Sequence, residues 1–273
     1  MLNELLISVS ILGGLGLAFG LGLAFASKKF EVKVDERIEK ARELLPGANC
    51  GACGQTGCDG FAESVVSGNS PVNGCPVGGA ELAKKLGELL GKEAGDIEQK
   101  VARVMCGGTA SKCALKFTYS GIEDCTAAAN LHGGPSACSY GCVGMGNCAK
   151  ACSFGAIVIE DGLAKVLPYK CTSCGQCVKS CPKNIIKMVP ARSEYTVACS
   201  SLDKGAVVRK NCSTGCIGCG KCVKACNSKA ITLNGTLAII DPSLCTNCGE
   251  CVGQCPVGAI KKNIFCSGNS VAS

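Results

Sequence analysis

Tryptophan is absent from this 273-residue chain, aromatic residues make up only 4%, and there is a single histidine, His132. A large core packed around aromatic rings is therefore excluded. So is a Rieske-type centre built by this chain alone, which needs two histidines. Between Glu4 and Lys28 there is no charge at all. A secretory leader would carry a basic start and a small-residue cleavage site, and neither is evident. What the chain has instead is 26 cysteines and 37 glycines.

Most of the cysteines fall in a block that repeats at an offset of 74 positions. The first copy has Cys125, Cys138, Cys142, Cys148, Cys152, Cys171, Cys174, Cys177 and Cys181. The second has Cys199, Cys212, Cys216, Cys222, Cys226, Cys245, Cys248, Cys251 and Cys255, with Cys219 in addition. Each copy contains the run C-x2-C-x2-C-x3-C, which suits cubane [4Fe–4S] clusters. Disulfides are the competing use of so many cysteines, but they belong to secreted chains. Thiols spaced two apart also compete with one another instead of reaching distant partners. Each cubane with four thiolates carries about −2, so five of them would turn the formal +7 into roughly −3.

The uncharged run Leu5–Ala26 is long enough to cross a bilayer as a helix. Lys28 and Lys29 follow it, so the positive-inside rule places everything beyond them in the cytoplasm. Gly16, Ala18, Gly20 and Gly22 permit close approach of neighbouring helices, so partner membrane subunits are expected. Gly14 to Gly20 superficially suggests a dinucleotide loop, but no strand precedes it and the run is apolar throughout.

Beyond the membrane segment (1–27), residues 28–105 are expected to form a linker helix and a small α-rich cluster domain. Val34, Ile38, Ala41 and Leu45 share a helical face, ended by Pro46-Gly47. Cys50, Cys53, Cys58 and Cys75 follow with spacing C-x2-C-x4-C-x16-C. Zinc prefers two C-x2-C knuckles and only one exists here, which favours [4Fe–4S]. Residues 80–105 read as two helices, with Leu82, Leu86, Leu89, Leu90, Ile97, Val101 and Val104 at helical spacing.

Residues 106–192 and 193–262 then form two modules, with a tail at 263–273. Four segments share one ending: Cys152 to Ile157, Cys181 to Ile186, Cys226 to Ile231 and Cys255 to Ile260. This resembles the bacterial two-cluster ferredoxin, an α+β fold in which the fourth cysteine of each run ligates the other cluster. The resemblance implies that Cys171, Cys174 and Cys177 take Cys152, that Cys245, Cys248 and Cys251 take Cys226, and that Cys216, Cys219 and Cys222 take Cys255. Met145 stands where the second module has Cys219, and a thioether does not normally replace a cubane thiolate. Cys138 is the expected substitute, completing a set with Cys142, Cys148 and Cys181; loss of one iron to leave a three-iron cluster is the competing outcome. Cys106, Cys113, Cys125, Cys199, Cys212 and Cys266 remain over. Burial as small apolar residues is expected for most of them, although they leave room for a sixth cluster beyond the five.

The N-terminal span, the GANCGACGQTGC segment, the two ferredoxin-like modules and the run Cys138-Ser-Tyr-Gly-Cys-Val-Gly-Met-Gly-Asn-Cys148 together resemble one family. It is the B subunit of the Rnf ion-translocating ferredoxin:NAD oxidoreductase complexes. The cluster-domain motif alone is shared with corrinoid iron–sulfur proteins. The resemblance implies a single-pass subunit of the cytoplasmic membrane that takes electrons from reduced soluble ferredoxin. It would pass them to the complex's membrane redox subunits, coupled to Na⁺ or H⁺ movement. No nucleic acid is expected as partner. No flavin site, nicotinamide loop or catalytic triad is evident, so any enzymatic role is that of a translocase subunit. A membrane-anchored polyferredoxin serving another reductase, and a zinc scaffold, are the alternatives. Lys183, Lys187, Arg192, Lys204, Arg209 and Lys210 form a cationic band expected to help dock an acidic ferredoxin.

Overall fold

The uncharged run folds as one long helix, α1 (Leu2–Lys29), in a computed structural model that describes residues 2–29, 35–95 and 98–263. Its apolar side chains face outward: Leu12, Leu23 and Phe25 are each more than two-thirds exposed. Among the described residues nothing covers Gly16, Gly20 or Gly22, where an added Cβ would meet nothing within 4 Å. Ser10–Lys29 is long and apolar enough to cross a membrane, and a helix surface of this kind is stable only when lipid or other apolar helices cover it.

α2 (Glu36–Leu44) starts where the Asp35 carboxylate accepts the Arg37 N–H, and it ends at Leu45, ahead of Pro46. Val34, expected on its apolar face, lies outside the described residues. α3 (Cys58–Val66) and α4 (Gly79–Leu90) pack with α2 around Ala41, Phe61, Val65 and Leu86. Cys58 and Cys75 belong to the same core, so the thiols are part of the packing. Gly91 takes the left-handed conformation and ends α4.

The helical reading does not extend to residue 105. Residues 100–104 form a strand, β1 (Lys100–Val104), with Val101, Ala102 and Arg103 buried. Two β-branched valines and a partner strand further along the chain outweigh the helical spacing there. Ile97 lies outside the described residues.

The first copy of the repeat continues with α5 (Cys125–Asn130), α6 (Asn147–Lys150), the hairpin β2 (Ile157–Glu160) and β3 (Leu163–Val166), α7 (Gln176–Ser180) and β4 (Ile186–Pro190). β4 pairs antiparallel with β1, placing Val104 opposite Ile186. The second copy repeats the plan with β5 (Tyr195–Val197), α8 (Gly205–Asn211), α9 (Lys221–Lys224), the hairpin β6 (Ile231–Asn234) and β7 (Leu237–Ile240), α10 (Glu250–Gly253) and β8 (Ile260–Lys262). Here β8 pairs with β5, placing Val197 opposite Ile260. Every sheet among the described residues has two strands.

The backbone repeats as closely as the sequence. Three residues after the last cysteine of each run stand Gly155, Asn184, Lys229 and Gly258, all with φ between 52° and 60°. Asparagine and lysine accept this left-handed turn at some steric cost, and the turn delivers the following isoleucine to the core. Ile157, Ile185 and Ile186 pack with Cys148 and Cys177 in the first copy. Ile231 and Ile260 pack with Cys216, Cys222 and Cys251 in the second.

Candidate iron–sulfur centres

In the N-terminal cluster domain, Cys50 and Cys53 lie on a loop with Gly51 and Gly54 in left-handed conformations, and Cys58 opens α3. The Asn49 side chain accepts the Cys58 N–H at 2.8 Å and ties the loop to the helix start. Burial pushes the Cys75 thiol up, against the pull of the Gly78 and Val77 N–H groups, and the Cys53 and Cys58 thiols push the same way. Cys53, Cys58 and Cys75 pack in the same small core. The Gln176 side chain donates to the Cys50 carbonyl, so this loop touches the first copy beside Cys177.

In the first copy, Cys152, Cys171, Cys174 and Cys177 line one cavity with Ala156 and Ile157. Burial raises the Cys177 thiol to about 12, reinforced by Cys171, Cys174, Cys148 and Cys152 nearby. The Ala156 N–H points at the Cys152 sulfur at 3.3 Å, and in the second copy the Ala259 N–H points at Cys255 at 3.2 Å. Donors aimed at sulfur in this way stabilise the extra negative charge of a reduced cluster.

Cys142, Cys148 and Cys181 line a second cavity, and the structure places Cys125 with them where Cys138 was expected. Burial raises the Cys148 thiol to about 11, with Cys142, Cys125 and Cys181 adding to the effect. Cys125 is held there by a reciprocal clasp. The Asn147 side chain accepts the Cys125 N–H at 2.9 Å and donates to the Asp124 carboxylate at 2.6 Å. Asp124 in turn caps α5 through the Thr126 and Ala127 N–H groups. Cys138, four residues before Cys142, faces a different cavity. Proximity in the chain favoured Cys138; the fold brings Cys125, at the start of α5, to this cavity.

In the second copy, Cys216, Cys219, Cys222 and Cys255 line a cavity with Ile217 and Gly218. Burial raises the Cys251 thiol to about 11, followed by the nearby Cys245 and Cys248. Cys226 packs against the same core; Ser228 hydrogen-bonds its sulfur and holds the thiol below its usual range. Cys266 lies outside the described residues.

Among the described residues, no three cysteine, histidine or carboxylate side chains converge tightly enough to grip a single metal ion. A tetrahedral zinc site requires that convergence. A cubane takes each thiolate at a separate iron corner, so its ligands must stand apart around a cavity. The four-cysteine cavities fit the second requirement.

Two members of the cationic band are already engaged. The Lys183 ammonium donates to the Gly133 and Ser139 carbonyls at 2.6 and 2.8 Å, and burial lowers its pKa. Arg192 pairs with Glu98 at 2.9 Å. Lys187, Lys204, Arg209 and Lys210 are exposed. Sequence reasoning missed Arg103, a buried guanidinium on β1 whose field reaches Cys171; its only signal was a charge within an apolar run.

Ferredoxin-type elements that wrap cysteine-lined cavities, twice over in one chain, define an iron–sulfur electron carrier of the [4Fe–4S] class. Family models agree: an Fe–S cluster family matches residues 45–77, and two 4Fe-4S dicluster domain families match 215–259, 137–186 and 170–231. The chain is 49% identical over 97% of its length to the B subunit of the Na(+)-translocating ferredoxin:NAD(+) oxidoreductase complex of Acetobacterium woodii, covering 80% of that protein. It is 44% identical over 95% of its length to the B subunit of the proton-translocating complex of Clostridium ljungdahlii, covering 93% of it. It is likewise 44% identical over 96% of its length to the B subunit of the ion-translocating oxidoreductase complex of Methanosarcina acetivorans, covering 99% of it. The chain belongs to this family, the B subunits of the Rnf-type ion-translocating oxidoreductase complexes.

Proposed function

We propose that this chain is the multi-cluster electron-transfer subunit of an ion-translocating ferredoxin:NAD oxidoreductase, taking electrons from reduced ferredoxin and relaying them to the membrane redox subunits. The recurrence of four-cysteine cavities along the chain carries this reading. Bound [4Fe–4S] clusters supply one-electron chemistry without bond making or proton transfer at the protein.

The chain's own residues do the rest. Five sets of thiolates hold the relay: Cys50, Cys53, Cys58 and Cys75; Cys152, Cys171, Cys174 and Cys177; Cys125, Cys142, Cys148 and Cys181; Cys216, Cys219, Cys222 and Cys255; and Cys226, Cys245, Cys248 and Cys251. Two tandem two-cluster ferredoxin modules follow the α-rich N-terminal cluster domain. Backbone N–H groups aimed at the sulfurs, with surrounding alanine and isoleucine, set how readily each site accepts an electron. α1 anchors the chain as a single pass. Lys28 and Lys29 keep the cluster-bearing part on the cytoplasmic side, where reducing conditions preserve free thiols. The complex is a translocase, and this subunit contributes conduction to it.

The test uses inside-out membrane vesicles from a strain lacking only this subunit. Ferredoxin-driven uptake of Na⁺ or H⁺ is expected to vanish and to return when the full chain is restored. Unchanged uptake would identify instead a polyferredoxin serving another reductase.

A further inference from the structure

Five cysteines outside the five sets gather at the seam between the two copies: Cys106, Cys113, Cys138, Cys199 and Cys212 line one cavity. Four of them form two symmetry-related pairs. Cys106 stands two residues beyond Val104 of β1, and Cys199 two beyond Val197 of β5. These valines occupy matching ladder positions, opposite Ile186 and Ile260. The next rungs match as well: the Met105 N–H donates to the Ile185 carbonyl at 2.7 Å, and the Ala198 N–H to Ala259 at 2.8 Å. Cys138 and Cys212 each precede the first cysteine of a cluster run, Cys142 and Cys216, by four residues. Cys113 lies in the stretch between Cys106 and Cys125, which has no counterpart in the second copy.

The backbone sorts the same five thiols. Each of the paired four has the N–H two residues onward turned to its sulfur: Gly108 for Cys106, Tyr140 for Cys138, Ser201 for Cys199 and Thr214 for Cys212. Cys142 shows the same arrangement with Gly144. Cys113 has none of this; its backbone donor is Cys138, and its thiol hydrogen-bonds Cys212. The wall is also built for close approach, because a Cβ on Gly108 would come within 3.2 Å of the Cys212 sulfur. The cavity abuts its neighbours on both sides. Cys142 lines it, and the Cys142 N–H points at the Cys106 sulfur at 3.5 Å. On the other side, the Cys216 N–H is turned to the Cys199 sulfur.

We propose that Cys106, Cys138, Cys199 and Cys212 hold a sixth [4Fe–4S] cluster, two ligands from each copy, which joins the first copy's relay to the second's. Cys113 is a hydrogen-bond partner of Cys212 and not an iron ligand. The site takes one electron from the neighbour at Cys142 or Cys216 and passes the same electron to the other, with no proton or bond change. This rests on reading the other cysteine sets as cluster ligands, and it adds the bridge that reading lacks.

Iron and acid-labile sulfide are counted on the full-length chain, purified without oxygen. The wild type should hold about 24 irons, where five clusters give about 20. Cys106→Ala and Cys199→Ala should each lose about four irons with their sulfide, while Cys113→Ala loses none. Because Cys125 and Cys138 are assigned to different clusters, Cys125→Ala combined with Cys138→Ala should lose about eight. A wild type at about 20 overturns the sixth site alone, and needs no variant to fold. So does iron loss that follows Cys113→Ala in place of Cys106→Ala, or a double variant that loses only about four. A wild type far below 20 overturns the five-site reading and this site together.

Discussion

Arg103 sits 8% exposed on β1, and burial pulls its pKa below the usual arginine value while the nearby Cys171 thiol opposes that shift. A cation near Cys171, a proposed cluster ligand, favours the reduced, more negative state. Arg103→Met is expected to lower the potential of the cluster on Cys152, Cys171, Cys174 and Cys177 by tens of millivolts, on the order a partly screened charge can exert. Arg103→Lys should retain most of it. An EPR-monitored redox titration decides, and an unmoved potential would mean that surrounding dipoles screen the charge fully. At this scale fixed spacing foretold which thiols gather, as at Cys171, Cys174 and Cys177, which line one cavity. It did not do so at Met145, where a missing ligand had two candidates. Chain proximity pointed to Cys138, whereas the placement of Cys125 beside Cys142, Cys148 and Cys181 depends on a loop path that only tertiary contacts determine. The pairing of Cys125 with Cys199 at the repeat offset was the one available hint, and the ladder shows Cys199 to answer equally to Cys106.

Short elements here act mainly as brackets for thiols. The clasp of Asp124 and Asn147 fastens the start of α5 to the start of α6, and with them Cys125 to Cys148. Asn147→Ala removes a capping partner and leaves the Cys125 N–H without its acceptor, a loss of about 1–2 kcal/mol. The expected result is a melting point lower by a few degrees and selective loss of one cluster's iron to a chelator. Chelation at the wild-type rate would show that α5 is held by other contacts. The elements themselves were unevenly legible. The four repeated tails announced their turns and isoleucines, and α2 ends just ahead of Pro46, as its sequence signals. β1 was hidden because a five-residue strand whose partner lies more than eighty residues away has no local signature; its valines fit a helix equally well.

Across the whole molecule, stability and cofactor are hard to separate. Two-stranded sheets are marginal on their own, and the cores of both copies count cysteines among their buried members. Stripping iron should therefore unfold the modules, since metal binding in such small cores is also folding free energy. Far-UV circular dichroism and limited proteolysis of the apo chain in detergent should show protease-sensitive modules beside a persistent α1. Modules that stay resistant without iron would show that the apolar residues suffice.

The pairing of β1 with β4 also sets a timetable for biosynthesis. A ribosome releases residues 100–104 long before 186–190, so the nascent first copy stays open along that edge while most of its thiols have already emerged. Iron and sulfide delivered in that interval would reach the thiols before the sheet shuts, and faster elongation would shorten it.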